Sequence, residues 1–343
     1  MAHDELFDTI ASLLDRHSPS GAEGEMDDLL RRQVSGLGEL TVDAAGNLVL
    51  RLPGREEGPL RAVLAHKDEI GAIVKRVEED GRLIAESVGD AHPWIWGEGP
   101  VDIMGRHGSV VGVLSFGARH VSEESPQHTQ RDKEPVRWRS AWIETKLPDA
   151  ELERLGIEPG SRIVPARPRK RPVRLGADGE HVAGHALDDK AAVAAVMTLA
   201  ARLKPRHATE LVFSAREEVG CHGSQFYARH TDAEALVAVE VIPVAKEYDL
   251  PQSADPVLIR ADARGPLDDG LSLELDEAAR GLGLNMRQVV VSRYGSDAST
   301  SLMHGLVPRS ACLGFATENT HGYEIAHLGA IAACVDVLDR WLS

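Results

Sequence analysis

Aromatic side chains are scarce, at 4% of 343 residues, so the core must be built from Val, Leu, Ile and Ala. Cysteine is scarcer still. Cys221, Cys312 and Cys334 form an odd set without CxxC spacing, which excludes a disulfide framework and leaves three thiols acting as small apolar side chains in a reducing compartment. Positive charge is in deficit: the formal net charge is −16. That argues against broad binding to nucleic acid or an anionic membrane, because phosphate contacts need clustered Lys and Arg. No apolar run approaches the roughly 20 residues that span a bilayer. The opening MAHDELFDTIASLLDRHSPS carries acids where a secretion signal needs bases, and the expected location is the cytoplasm. Phosphate-loop, HExxH and GxSxG motifs are also missing, which sets aside nucleotide-triphosphate, single-helix zinc and serine-nucleophile chemistry.

A chain of this length predicts one large domain or two. Leu6, Ile10, Leu13 and Leu14 repeat with a helical period over residues 4–17. Ser20 with Glu23 has the form of a capping box opening a second helix through Leu29 and Leu30. Residues 41–52 predict a hairpin around Gly46-Asn47, and RAVLAH at 61–66 a buried strand with a functional carboxyl end. From about Ala72 to Val173 the texture changes to short β-like runs separated by Gly, Pro and Asp, as expected of a small barrel or sandwich. Within it, residues 119–137 predict a mobile polar loop. Trp94 and Trp96 fit local packing better than a sugar platform, and Arg167–Pro172 reads as a solvated basic linker. After Gly176 strands and helices alternate: a helix from Lys190 to Leu203, strands at 210–214, 236–242, 287–292 and 311–315, and helices near 270–282 and 326–342. GLGL at 281–284 is a turn. The expected fold is thus α/β, a mixed sheet with helices on both faces, interrupted by a small all-β barrel. The predicted boundaries are 1–72 and 174–343 for the α/β part and 73–173 for the insert.

Four segments after predicted strands or before helices carry the chemistry: His66-Lys67-Asp68-Glu69, Asp188-Asp189-Lys190, Arg216-Glu217-Glu218 and Glu318-Asn319-Thr320-His321. Glu240 lies inside a predicted strand. In an open α/β sheet the crevice beyond the carboxyl ends of the strands is where ligands bind. Carboxylates crowded there repel one another unless cations neutralise them. Two divalent metals would resolve the conflict, and mixed imidazole and carboxylate donors suit Zn²⁺, Co²⁺ or Mn²⁺ better than Mg²⁺ or Ca²⁺. Each segment alone has an ordinary explanation as surface pair, helix cap or solvated face; together they require four coincidences.

SPSGAE at 18–23, Asp43 with Gly46-Asn47, HKDEIG at 66–71, ALDDK at 186–190, AREEVG at 215–220, GSDAS at 295–299 and the late His321 jointly resemble the aminopeptidase family that includes the glutamyl, leucyl and lysyl tetrahedral (TET) enzymes, some of them labelled cellulase M. The resemblance covers nearly the whole chain. It implies a zinc-exopeptidase-like fold and hydrolysis of amino-terminal residues from peptides by metal-activated water. It implies that His66 binds one metal and His321 the other, that Asp188 bridges them, and that Glu218 and Glu240 each complete one site. Glu217 would be the general base and Asp68 the group that orients His66, with Asp189 shaping the turn. It further implies a homo-oligomer, from dimer to dodecamer, with the insert helping to form dimers. Two departures stand out: the family usually has Asp at the position of Glu240, and TENTHGYE around His321 differs from the common arginine-and-tyrosine-flanked form. A two-metal deacylase or carboxypeptidase acting on an N-acyl amino acid or small peptide, or a non-catalytic homologue, are the alternatives.

Overall fold

A computed structural model describes residues 3–118, 120, 125 and 135–343; the expected loop at 119–137 lies mostly outside them. The chain divides into two compact units, Met1–Asp68 with Pro172–Ser343, and Glu69–Arg171.

The first unit is built on a mixed sheet. Its order is Glu39–Val42, Leu48–Leu52, Thr209–Ser214, Arg61–His66, Ala235–Pro243, Arg309–Glu318, Tyr323–His327, His181–His185 and Val173–Leu175, with Pro256–Asp262 branching from the Arg309–Glu318 strand. The four strands from Thr209–Ser214 to Arg309–Glu318 run parallel. Their near-continuous apolar sequences reflect burial on both faces, and alternation divides the side chains between two cores. Val63, Ala65, Val237, Val239, Leu313 and Phe315 face one; Ala62, Leu64, Leu236, Ala238, Ile242 and Cys312 face the other. Helices His3–Leu14, Leu187–Arg202, Asp269–Gly281 and Leu328–Leu342 cover the first face, and His222–His230 and Asp297–Met303 the second. Each fully buried Leu, Val or Phe contributes about 1.5–3 kcal/mol, enough to hold the strand ends rigidly. All three cysteines are free and buried.

The second unit is a closed barrel in the order Gly71–Val77, Leu83–Val88, Trp142–Glu144, Ser109–Ser115, Gly99–Met104 and Arg162–Pro165. Trp96 and Trp138 meet edge to face at 5.5 Å in its core, whereas Trp94 is half exposed and stacks on His92. The basic run is not a solvated linker. Lys170 is fully buried, and its Nζ donates to Glu69 Oε1 and Oε2 at 2.9 and 3.2 Å. Arg169 reaches the Trp96 carbonyl. Counting charges hid this, because an amphipathic side chain can be drawn inside by one buried carboxylate.

Two further expectations need correction. Ser20 and Glu23 form no capping box: the helix starts at Gly24 with Glu23 as its N-cap, and Glu23 Oε1 instead accepts the Gly21 N–H at 2.7 Å. The final helix begins at Leu328, because residues 323–327 form an antiparallel strand against His181–His185. No helix among the described residues is long and apolar enough to cross a membrane.

Candidate metal centre

The parallel register sets the floor of the site. Ser214 lies opposite His66, and Glu240 stands two residues beyond the Ala238–Leu64 pair, level with His66. Asp188 arrives from the start of the helix Leu187–Arg202, just after the left-handed Ala186. Glu217 and Glu218 follow the strand Thr209–Ser214 through a turn in which Arg216 has φ 56°. His321 sits between the strands Arg309–Glu318 and Tyr323–His327 with φ 64°.

These side chains converge on Asp188. His66 Nε2 lies 3.0 Å from Asp188 Oδ1 and 3.9 Å from both Glu240 Oε2 and Glu217 Oε2. His321 Nε2 lies 3.4 Å from the other oxygen, Asp188 Oδ2, and 3.5 Å from Glu218 Oε2. His66, Asp188 and Glu218 each offer a ligand atom within 4.8 Å of the others, as do His66, Asp189 and Glu240.

A layer of hydrogen bonds fixes the cluster. His66 Nδ1 is 3.2 Å from the Asp68 carbonyl and 3.5 Å from its carboxylate, so a proton on Nδ1 leaves Nε2 free to face Asp188. Asp68, fully buried, also accepts from Ser20 Oγ at 2.6 Å and from the Glu217 and Glu218 amides at 2.9 and 3.3 Å. Asp189 Oδ2 accepts the His66 amide at 3.2 Å. Behind the glutamates, Asn47 accepts from the Ala215 amide and donates to the Gly223 carbonyl, both at 2.9 Å. A Cβ at 223 would collide with that amide, so glycine is required there.

Burial and crowding set the protonation. Burial pushes the Glu217 carboxyl up to about 7, and Asp297 and Asp68 add to the push. Burial likewise raises Glu218, helped by the charge of Asp188, and Glu240 and Asp189, which repel each other. Asp188 goes the other way: burial opposes its charge, but hydrogen bonds from His321 and His66 hold it well below the carboxylate range. Burial works against charging His321 too, yet Asp188 and Glu218 raise it to about 10.

Ser20, Asn47 and Glu324 were not singled out as site residues from the sequence, although Ser20 and Asn47 lie in the quoted SPSGAE and Gly46-Asn47 segments. Ser20 and Asn47 are short polar side chains in turns, the one hint the sequence offers, and Glu324 carries none. Asp297, from the GSDAS segment, accepts from Ser214 and Ser224, both at 2.5 Å. With Glu217 and Cys221 it forms a third close group.

Residues 46–337 match the M42 glutamyl aminopeptidase family. The Escherichia coli protein SgcX is 28% identical over 254 residues, a match covering 71% of this chain and 64% of that one, just under two thirds of its length. The glutamyl aminopeptidase of Lactococcus lactis is 23% identical over 346 residues, 93% of this chain and 90% of that one. Among solved structures, the aminopeptidase APDkam598 of Desulfurococcus kamchatkensis superposes with a TM-score of 0.90 at 21% identity, covering 100% of this chain and 95% of that one. The Pyrococcus horikoshii TET1 peptidase, which can assemble into a tetrahedron or a large octahedral shell, gives 0.85 at 21% identity over 98% and 99%. The fold is thus that of the TET aminopeptidases, zinc-exopeptidase-like with an inserted barrel. The chain belongs to the M42 glutamyl aminopeptidase family and is a hydrolase of the aminopeptidase class.

Proposed function

We propose that the protein removes amino-terminal residues from peptides at a centre holding two divalent cations. The observation that carries this reading is the placement of Asp188, whose two oxygens face different histidines, His66 and His321. Asp188 would bridge the pair, with His66 and Glu240 completing one seat and Glu218 and His321 the other. The donor set fits. Glu218 Oε1 and Asp189 Oδ1 are buried without a hydrogen-bond partner, a costly state for carboxylate oxygens that nearby cations would relieve. Imidazole with carboxylate suits Zn²⁺ first, with Co²⁺ or Mn²⁺ as further candidates. Glu240 presents the same oxygens as Asp on a longer arm.

When bound, the cations supply Lewis acidity to water and to the scissile carbonyl. The chain's own residues do the rest. Glu217 Oε1 accepts the Cys221 thiol at 3.2 Å, while Oε2 is the oxygen near His66 Nε2. Oε2 is therefore the atom that takes a proton from water and returns it to the leaving amine. Asp68 holds the tautomer of His66 and, through the amides of Glu217 and Glu218, the position of both glutamates. The surrounding carboxylates favour a substrate with a free, positively charged amine.

In the same reading the protein is cytoplasmic and forms a homo-oligomer, from dimer to dodecamer, with the barrel unit contributing to dimers. The TET1 assemblies support the homo-oligomer, as do the exposed Val111 and Val113 on one barrel strand.

The test is Glu217→Gln. The variant should retain both metal equivalents after dialysis while turnover of aminoacyl substrates falls by about 10²–10⁴. Hydrolysis at the wild-type rate would remove Glu217 from its role, and preference for N-acyl amino acids over free-amine substrates would overturn the aminopeptidase reading.

A further inference from the structure

Glu324 is the first fully buried residue of the strand Tyr323–His327, and its carboxylate is divided between two partners. Oε1 accepts the His321 N–H at 2.9 Å, and Oε2 accepts the Asp188 N–H at 3.0 Å. The pairing of His181–His185 with Tyr323–His327 brings this about: Glu324 lies opposite Gly184, and the chain beyond His185 turns through Ala186 to Asp188. Both turns are of a rarely populated kind. Ala186 has φ 63° and His321 φ 64°, a left-handed region that costs a residue with a Cβ of order 1 kcal/mol and persists only where surroundings enforce it. One buried carboxyl group tied to two backbone donors is such an enforcement, since a buried N–H left without its acceptor costs about 1–3 kcal/mol.

We infer that Glu324 is a positioning residue which sets the spacing of His321 from Asp188, and thereby builds the seat for the second cation without touching it. The inference rests on the two-cation reading above. It also supplies a role for Glu324, the second of the two glutamates in the TENTHGYE segment. His66 and Glu240 take their places from the central strands, so of the first seat's ligands Glu324 holds only the shared Asp188, whereas it holds both Asp188 and His321 of the second; changing it should weaken the second seat more than the first.

The experiment is calorimetric titration of Zn²⁺ into metal-stripped wild type, Glu324→Gln and Glu324→Asp, with the visible spectrum of the Co²⁺-loaded proteins as a second readout. Glutamine replaces one acceptor with a donor and must break one of the two bonds. Aspartate keeps both acceptor oxygens but is one methylene too short to reach both amides. In each variant the first equivalent should weaken clearly less than the second, since only the shared Asp188 connects it to Glu324. The second should weaken by about 10–100-fold, the usual range for groups that orient ligands, with the Co²⁺ bands of that equivalent altered. Binding of both equivalents at wild-type affinity, or equal weakening of both, would overturn the inference. If glutamine prevents folding, the aspartate variant decides by the same criteria. Failure of the wild type itself to take up two equivalents would refute the two-cation reading instead, so the two failures are distinguishable.

Discussion

Replacing Lys170 by Met should destabilise the barrel unit far more than an ordinary lysine substitution. The ammonium and the Glu69 carboxylate are 0% and 1% exposed and 2.9 Å apart. At an effective dielectric of about 20, charges at that distance attract by about 6 kcal/mol, much of which offsets the hydration both groups lost on folding. The net value of the pair is therefore small, but removing one partner deprives the other buried charge of this counter-ion, at a cost of about 3–5 kcal/mol. Surface lysine substitutions stay within about 0.5 kcal/mol. Urea unfolding followed by tryptophan emission suits this unit, because Trp94, Trp96, Trp138 and Trp142 lie in it and only Trp341 lies elsewhere. The midpoint should fall sharply with little change in the slope. The double variant Glu69→Leu with Lys170→Met should recover most of the loss, since an apolar pair replaces an ionic one at similar volume. A loss below about 1 kcal/mol for Lys170→Met, or a double variant no more stable than the single, would refute the reasoning.

Ser20→Ala removes the hydroxyl that donates to Asp68; kcat/KM should drop by about tenfold or more while the unfolding midpoint moves little, and unchanged kinetics would show that Asp68 is held without it. His327 caps the final helix by accepting the Gly329 N–H on Nδ1 at 2.9 Å, and burial, with the charge of His181 adding, depresses its pKa below 6.5. A depressed histidine contributes stability that is present above its ordinary pKa and lost as pH falls from there through its folded value, so below about pH 6.5 the wild type should lose stability that a permanently capping His327→Asn variant keeps. Equal losses in urea titrations of the two proteins would end that argument.

The barrel, the two-faced sheet and the convergence of His66, Asp188, Glu218 and His321 were legible because period and strand-end placement are local signals. Where the reading failed, distance along the chain was the reason. Ser20 looked like a helix cap because Glu23 follows at the right spacing; nothing in residues 18–23 reveals Asp68, which competes for the same hydroxyl from 48 positions away. Lys170 looked solvated because its neighbours are basic, and its partner is 101 residues distant. The strand Tyr323–His327 carries only Ile325 and Ala326 as apolar residues and is held by its pairing with His181–His185, so its β character is conferred by the neighbour. Glu324 was passed over for the same reason: its partners are backbone amides, which no side-chain pattern announces.

The contrast between rigid strands and left-handed turns has a consequence for how the protein would acquire and surrender its ions. His66 and Glu240 ride on adjacent central strands, whereas Glu218 and His321 hang from turns containing Arg216, Asn319 and His321 in left-handed conformations. Two seats mounted on supports of such unequal stiffness should fill and empty in sequence. The strand-borne seat would load first and release last, and dilute chelator would arrest the enzyme as a half-loaded species before stripping it bare.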